Sequence, residues 1–260
     1  MKVIDFHMHP YLSREEFTCM YPEMFEPSPG QAYSDLEAAG ISHICGSVIE
    51  KGVYTQESGF DHIRELNQKA LRLKEIYGDF YTPGFHVHPR YVRESCDEIE
   101  FMHGKGVNLI GELVPYMHGW TDYSCSGLKE ILDTAGQYGM VVSYHTMVEE
   151  EDEMEKMIAA HPDVTFVAAH PGEKVHYMRH LERLEKYPNA YLDLSGTGLF
   201  RYGLLAYGVK RAGADKFLFG TDYPICNPRM YVQAVLQEPI SQADKEAVLC
   251  GNAKRLLGLR

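Results

Sequence analysis

The sequence predicts an α/β protein of the (β/α)8 barrel (TIM barrel) type, with one domain spanning residues 1–260. Three observations support this prediction: the chain length, an alternation of short apolar runs with helix-like segments, and polar residues where the apolar runs stop. A chain of 260 residues is close to the usual length of such a barrel, about 250 residues, and can bury one sizeable core.

Eight short runs rich in apolar and β-branched residues predict eight strands. They are Lys2–His7, Ser42–Ile49, Phe80–His88, Val107–Leu113, Met140–His145, Val164–His170, Ala190–Ser195 and Lys216–Asp222. Several runs are apolar at consecutive positions, which is typical of strands that are covered on both faces. An exposed antiparallel sheet therefore fits the sequence poorly.

Segments with helical spacing lie between these runs and predict βαβ units with parallel strands. They are Phe60–Tyr77, Ser95–His103, Leu128–Tyr138, Glu151–Ala160, Val175–Lys186 and Phe200–Ala212. Pro10–Gly30 has weak periodicity and is predicted to be a long loop or lid. A closing helix over Gly251–Gly258 is predicted, with Asn252 as its N-cap and Gly258 at its end. An open doubly wound sheet is the alternative architecture, because element counts alone do not show closure.

The net charge, the apolar runs and the cysteine spacing limit which kinds of molecule the protein is expected to bind. A formal net charge of −12 would repel a phosphate backbone, so the sequence argues against nucleic acid as a partner. No apolar run approaches the roughly 20 residues that a membrane span needs, and the six cysteines form no CxxC pair. We therefore expect a cytoplasmic protein with reduced thiols that acts on a small molecule. Assembly into a homo-oligomer stays open.

Polar side chains stand where five of the predicted strands end, which is the side of a (β/α)8 barrel that carries the active site. They are His7, His9, Glu112, His145, His170 and Asp222. His7 and His9 are two residues apart on an extended segment, so both imidazoles point to the same side and can share a cation. Each residue alone has a structural alternative, such as an ion pair or a helix cap, but the ordered set predicts a metal site.

The donor set also indicates which metal and which chemistry to expect. Neutral imidazoles with carboxylates suit Zn²⁺ first, and also Mn²⁺ or Fe²⁺. A catalytic metal lowers the pKa of its bound water to about 7 and supplies hydroxide at neutral pH. We expect Asp222 to orient that water and to accept its proton, and His170 or His86 to contact the developing oxyanion.

At these residues the chain resembles the amidohydrolase superfamily, and within it the amidohydrolase-2 branch. The resemblance runs from Val3 to the closing helix, through the segments Asp5–Pro10 (DFHMHP) and Phe219–Pro224 (FGTDYP) and the histidines at two strand ends. It implies a TIM barrel with His7, His9, His145 and Asp222 as metal ligands. It also implies that His170 binds a second metal or contacts substrate.

Glu112 resembles the glutamate that bridges two metals in binuclear members, so the resemblance implies two ions. TatD-type nucleases share that feature, and their Gly-x-His-Pro segment is similar to Phe85–Pro89 (FHVHP). The acidic net charge and the Phe219–Pro224 segment count against a nuclease. If Glu112 only supports the ligands, the site holds one ion, as in decarboxylases of the same branch.

Further candidates for substrate binding follow the third and fourth predicted strands. His86 and His88 form a second His-x-His pair at the end of the third run, and Arg90 and Trp120 fall in the loops after the third and fourth runs. Arg90 could hold a substrate carboxylate. A structural role for the histidines, a surface ion pair for Arg90 and loop packing for Trp120 are the alternatives.

The sequence thus predicts a metal-dependent hydrolase that cleaves a C–O, C–N or lactone-type bond in a small organic substrate. A non-oxidative decarboxylase of the same superfamily is the first alternative. A barrel that binds metal without catalysis is the second.

Overall fold

A computed structural model describes residues 2–16, 27–50, 55, 57–147, 149–199 and 201–259. Eight strands and their intervening helices follow one another in the predicted order. The strands are β1 (Val3–Asp5), β2 (Ile41–Gly46), β3 (Tyr81–Phe85), β4 (Leu109–Leu113), β5 (Val141–His145), β6 (Thr165–Ala169), β7 (Ala190–Asp193) and β8 (Phe217–Leu218). Each of them overlaps one of the eight predicted runs.

The main helices surround this sheet. They are α1 (Pro29–Ala38), α2 (Gly59–Tyr77), α3 (Val92–Gly104), α4 (Ser126–Gln137), α5 (Glu151–Ala160), α6 (Lys174–Lys186), α7 (Leu204–Ala212), α8 (Pro228–Gln237), α9 (Gln242–Glu246) and α10 (Asn252–Leu257). Among the described residues, none of the helices is long and apolar enough to cross a membrane.

Helices α1 and α8 are absent from the sequence prediction, although each begins with a recognisable signal. Ser28 and Asn227 each accept a backbone N–H three residues later, and each precedes a proline. A side-chain cap followed by proline is a strong helix start. Helix α1 begins inside the predicted loop Pro10–Gly30, and residues 17–26 of that loop lie outside the described residues.

The eight strands form one parallel sheet in chain order, from β1 to β8. The two ends of the sheet meet just beyond β1 and β8. The Phe6 N–H donates to the Phe219 carbonyl oxygen at 2.8 Å, and Met8 pairs with Tyr223 in a parallel bridge. This closure confirms the (β/α)8 barrel and excludes the open doubly wound sheet.

Both faces of the strands are apolar, as the sequence predicts. Phe166 and Ala168 belong to the large core between strands and helices, while Val167 between them belongs to a second cluster. Val141 also belongs to this second cluster. Because strand side chains alternate between faces, His145 shares the face of Val141 and stands above the second cluster, at the carboxyl end of β5.

The predicted N-cap role of Asn252 is wrong. The chain is already helical before this residue, through α9 and a π-helical turn at Ala247–Gly251, so no helix start is free there. The buried Asn252 amide instead donates to the carbonyl oxygens of Ala214 and Phe217, both at 2.8 Å. Gly258 ends α10 in the left-handed conformation, as predicted.

We expect Asn252→Ala to lower the free energy of unfolding by about 1–3 kcal/mol, because two carbonyl oxygens beside β8 lose their side-chain donor. Urea unfolding followed by circular dichroism measures this change. Asn227→Ala, at the exposed N-cap of α8, is the matched control and should cost about 1 kcal/mol. A smaller loss of unfolding free energy for Asn252→Ala than for Asn227→Ala would contradict a stabilising role for the two Asn252 hydrogen bonds.

Candidate metal centre

His7 and His9 lie where the chain leaving β1 meets the chain leaving β8. The buried Asp5 carboxylate joins these two ends: Oδ1 accepts the N–H of His7 at 3.2 Å and of Thr221 at 3.0 Å, and Oδ2 accepts the Thr221 hydroxyl at 2.5 Å. Burial raises the pKa of Asp5 to about 7, against the lowering effect of these hydrogen bonds. The contacts fix His7 beside Asp222, the residue that follows Thr221.

Five of the six predicted ligand residues come together in two groups. His7, His9 and Asp222 form one group, and His7, Glu112 and His170 form the other. Within each group, one ligand atom of every residue lies within 4.8 Å of the others. His7 Nε2 is 3.3 Å from His9 Nε2 and 3.5 Å from Glu112 Oε2. His7 belongs to both groups and is therefore the centre of the site.

The hydrogen bonds of His7 and His9 direct both Nε2 atoms towards a shared cation. His7 Nδ1 is 2.8 Å from Asp193 Oδ2, and His9 Nδ1 is 3.1 Å from the Ser47 carbonyl oxygen. Because a carboxylate and a carbonyl oxygen only accept, both Nδ1 atoms carry a proton. Their Nε2 lone pairs then point at one space, which a proton or a metal ion must fill. Together with the Asp222 carboxylate, this donor set fits a divalent metal.

The electrostatics of the buried groups also favour positive charge at this point. Burial lowers the pKa of His7, but the carboxylates of Asp193 and Glu112 outweigh it and raise the pKa well above its usual value. Burial raises the pKa of Glu112, but His7 and His145 hold that pKa well below its usual value. Glu112 is therefore ionised, and its negative charge is available to a cation.

His145 and His170 both contact Glu112 Oε1, in different ways. His170 presents Nε2 at 3.4 Å, whereas His145 presents Nδ1 at 2.9 Å. Among the described residues, His145 is in neither group of ligand atoms. In this structure it orients Glu112, and its role as a metal ligand stays a prediction.

His170 and Asp222 are the non-glycine residues in the described chain with left-handed backbone conformation, at φ 72° and φ 63°. Histidine and aspartate are among the residue types that tolerate this region best. Asp222 is held there by its N–H, which donates to the His7 carbonyl oxygen at 2.8 Å. Backbone strain of this kind concentrates at functional sites, and it occurs here in two candidate ligands.

His86 and His88 are both buried, but they differ in how many of their ring nitrogens have a hydrogen-bond partner. His88 Nε2 donates to the His118 carbonyl oxygen at 2.8 Å, and its Nδ1 accepts the Arg90 N–H at 3.1 Å. His86 Nε2 donates to the Val48 carbonyl oxygen at 2.8 Å, while its Nδ1 is buried without a partner. Burial lowers the pKa of His86 to about 4, so this Nδ1 is an acceptor. His88 holds loops together, and His86 remains the better candidate for substrate contact.

The other predicted substrate contacts lie in the loops beyond β3 and β4. Trp120 packs edge-on against Tyr123, with ring centroids 5.4 Å apart, and its Nε1 is buried without a partner. The Arg90 side chain is exposed. Tyr116 is 54% exposed, and its ring centroid lies 5.3 Å from that of His145. Contact of Arg90 or Trp120 with substrate stays a prediction, and Tyr116 lies beside the site.

A cavity of about 440 Å³ opens beside the ligand groups. It is lined by His145, Thr146, His170, Gly172, Glu173, His176, Gly196, Thr197, Asp222 and Ile225. Its volume is within the range of sites for small molecules. Because Asp222 and His170 line it, a molecule in the cavity would lie against both ligand groups.

Two residues of the site, Asp193 and Ser195, were not identified from the sequence. They stand at the end of β7, inside a run that was recognised as a strand, and Asp193 Oδ2 lies 2.8 Å from His7 Nδ1. Active-site residues of a (β/α)8 barrel lie at the carboxyl ends of the strands, and this holds for Asp193 as well as for Glu112. The position of Asp193 and Ser195 at the end of a predicted strand is therefore the sequence signal that identifies them.

Several solved structures share this fold. An uncharacterised TIM-barrel protein from Bordetella bronchiseptica is 20% identical, with 100% of this chain and 99% of that chain covered and a TM-score of 0.79. The 2,6-dihydroxybenzoate decarboxylase from Rhizobium is 16% identical, with 99% and 98% covered and a TM-score of 0.77. A dihydroxybenzoic acid decarboxylase from a Polaromonas species, with bound manganese and the inhibitor 2-nitroresorcinol, is 13% identical, with 99% and 96% covered and a TM-score of 0.74.

Comparison with curated proteins gives no significant match. A family model described as Amidohydrolase matches residues 4–259. This match confirms the resemblance drawn from the strand-end motifs, and since it covers nearly the whole chain, the protein belongs to the amidohydrolase family.

Proposed function

We propose that the protein is a metal-dependent enzyme that removes CO₂ from a small organic acid by non-oxidative decarboxylation. The observation that carries the proposal is Asp222, which belongs to the ligand group with His7 and His9 and also lines the cavity. Two structures of similar fold are decarboxylases of dihydroxybenzoates, and one of them contains bound manganese. This likeness favours decarboxylation over the hydrolysis that the sequence analysis places first.

The residues present can hold a divalent metal and bring substrate to it. His7, His9 and Asp222 would be the ligands. When bound, a divalent metal supplies a Lewis acid for a carboxylate or hydroxyl oxygen of the substrate. The two imidazoles are held by Asp193 and by the Ser47 carbonyl oxygen, so their Nε2 atoms are oriented before a ligand arrives.

Decarboxylation also requires a proton at the carbon that loses CO₂. The C–C bond breaks, its electron pair stays on that carbon, and a proton takes the place of the carboxylate. Asp222 and His170 line the cavity and can hold and deliver this proton. Tyr116 and His145 lie edge to face at the same mouth and offer an aromatic surface beside a planar substrate.

A substrate panel tests the proposal. We expect the protein loaded with Mn²⁺ or Zn²⁺ to release CO₂ from at least one hydroxylated aromatic acid, such as 2,6-dihydroxybenzoate or 5-carboxyvanillate, and to lose this activity when a chelator removes the metal. Headspace CO₂ and loss of the acid by chromatography are measured together. Apo-protein and protein-free metal are the controls.

The same panel includes lactones, esters, amides and phosphoesters. Turnover of one of these, without CO₂ release from any acid, would replace decarboxylation by hydrolysis. Metal binding without turnover of any compound would instead support a barrel that binds metal without catalysis.

Hydrolysis by two metal ions is the second candidate, and the position of Glu112 favours it. Glu112 Oε2 is 3.5 Å from His7 Nε2 and 3.6 Å from His9 Nε2, and Oε1 is 3.4 Å from His170 Nε2. A carboxylate that contacts both ligand groups can hold two ions, as in many two-metal hydrolases. The number of ions bound per chain therefore bears directly on the choice between the two reactions.

A further inference from the structure

Asp193 is a fully buried carboxylate whose two oxygens serve different partners in the site. Oδ2 lies 2.8 Å from His7 Nδ1. Oδ1 accepts the backbone N–H of Ser195 at 2.9 Å and also the Ser195 hydroxyl. All three contacts place a donor against the carboxylate, so Asp193 acts as an acceptor throughout.

The Ser195 hydroxyl extends this network to a second imidazole. Ser195 Oγ is 3.0 Å from His170 Nδ1. Because the hydroxyl proton is donated to Asp193, the oxygen is left to accept, and His170 Nδ1 must donate. Gly196 makes room for this contact, since a Cβ at that position would lie 2.4 Å from His170 Nδ1. Asp193 thus determines the proton position on His7 directly and on His170 through Ser195.

We propose that Asp193 is a positioning residue that sets the tautomers of His7 and His170 together, so that both present a lone pair at Nε2. The two histidines are the imidazole members of the group that contains Glu112, and His7 also belongs to the group with Asp222. This inference rests on the proposed metal site, and it adds a residue from β7 that acts on both ligand groups. Outer partners of this kind typically change metal affinity by about 10–100-fold.

Replacement of Asp193 by asparagine tests the inference with almost no change of shape. In the variant, one acceptor oxygen becomes an NH₂ donor. The Ser195 N–H cannot change its role, so the amide oxygen must stay at the Oδ1 position and the NH₂ group must face His7. His7 Nδ1 then has to accept, its proton moves to Nε2, and the lone pair needed for a metal is lost.

The first measurement is metal affinity, by isothermal titration of apo-protein with Zn²⁺ and Mn²⁺. We expect Asp193→Asn to weaken binding by about 10–100-fold. Ser195→Ala should weaken only the ion that involves His170, because His7 keeps its contact with Asp193. Glu238→Gln is the matched control: Glu238 is a buried carboxylate that accepts the N–H groups of Gly203 and Ala206, away from the site, so its loss should leave metal affinity unchanged.

The second measurement is the histidine ¹⁵N NMR spectrum of the metal-free protein, at a pH where the imidazoles are neutral. We expect His7 and His170 to carry the proton on Nδ1 in the native protein, and His7 to carry it on Nε2 in Asp193→Asn. A role limited to packing would leave the tautomer of His7 unchanged. His7→Gln provides the assignment of the His7 signals.

The outcomes separate this inference from the proposed function. A native protein with His7 protonated on Nε2, or an Asp193→Asn variant with native metal affinity, would overturn the inference. The NMR result holds whichever reaction the substrate panel finds. If the native protein bound no metal, the proposed function would fail, while the NMR spectra of the metal-free protein would still decide whether Asp193 sets the tautomers of His7 and His170.

Discussion

His7→Ala is expected to weaken metal binding by more than about 100-fold, the upper value for loss of an outer partner, and to reduce activity to background. His7 is the residue common to both groups of ligand atoms, and its Nε2 lies within 3.7 Å of ligand atoms of His9, Glu112 and Asp222. No other imidazole in the described part of the chain belongs to both groups. Inductively coupled plasma mass spectrometry of protein purified without chelator measures the bound metal, and circular dichroism checks that the variant folds.

Variants of the other ligands show whether one ion or two are bound. His9→Ala removes a residue from the first group only, and His170→Ala or Glu112→Ala removes one from the second group only. With two ions, each of these should lose about one equivalent, and His7→Ala should lose both. One equivalent per native chain, unchanged in Glu112→Ala, would contradict the bridging role of Glu112. A native metal content in His7→Ala would contradict the proposed centre altogether.

Asp222→Asn is expected to lower kcat by about 10²–10⁴-fold, the usual contribution of a positioned proton carrier. Asparagine keeps a carbonyl oxygen near His7 and His9 but cannot carry a proton. It also tolerates the left-handed backbone at this position, φ 63°, as well as aspartate does, so the effect is not one of strain. The expected loss applies to either proposed reaction, because Asp222 would carry the proton in both.

The kcat of Asp222→Asn is measured with whichever substrate the panel identifies, at metal concentrations that saturate the variant. Saturation separates a loss of chemistry from a loss of metal. Asp133→Asn, on the exposed side of α4, is the control and should leave kcat unchanged. Full turnover by metal-loaded Asp222→Asn would show that the proton is carried by another group.

The fold was predictable because its signals are local. Each strand of the barrel is an apolar run, and each polar strand end is visible without knowledge of the partner strands. The exceptions are instructive. Helices α1 and α8 are missing from the predicted helices, although Ser28-Pro29 and Asn227-Pro228 are helix-start signals that the sequence contains. The predicted N-cap role of Asn252 is wrong because an asparagine that caps a helix and one inside a helix look alike in the sequence until the preceding turn is known to be helical.

The candidate ligands were predictable for a related reason. In a closed barrel all strand ends face one mouth, so His7, Glu112 and Asp222 need no further information to be brought together. Their relative geometry was not predictable. His145 and His170 are both histidines at the ends of neighbouring strands, yet one presents Nδ1 to Glu112 and the other Nε2. Ring orientation depends on what the opposite nitrogen contacts, and that contact is tertiary.

The sequence by itself determined the barrel, the membership in the amidohydrolase family and the set of residues at its mouth, because strand period and strand-end position are properties of short segments. Only the tertiary structure decided which of those residues lie close enough to share a cation and which contacts hold them in place. The contact between His7 and Asp193 joins positions 186 residues apart and exists because β1, β8 and β7 are neighbours once the barrel closes. The carboxylate that orients the central histidine is therefore set by closure and register, which no short segment of the chain encodes.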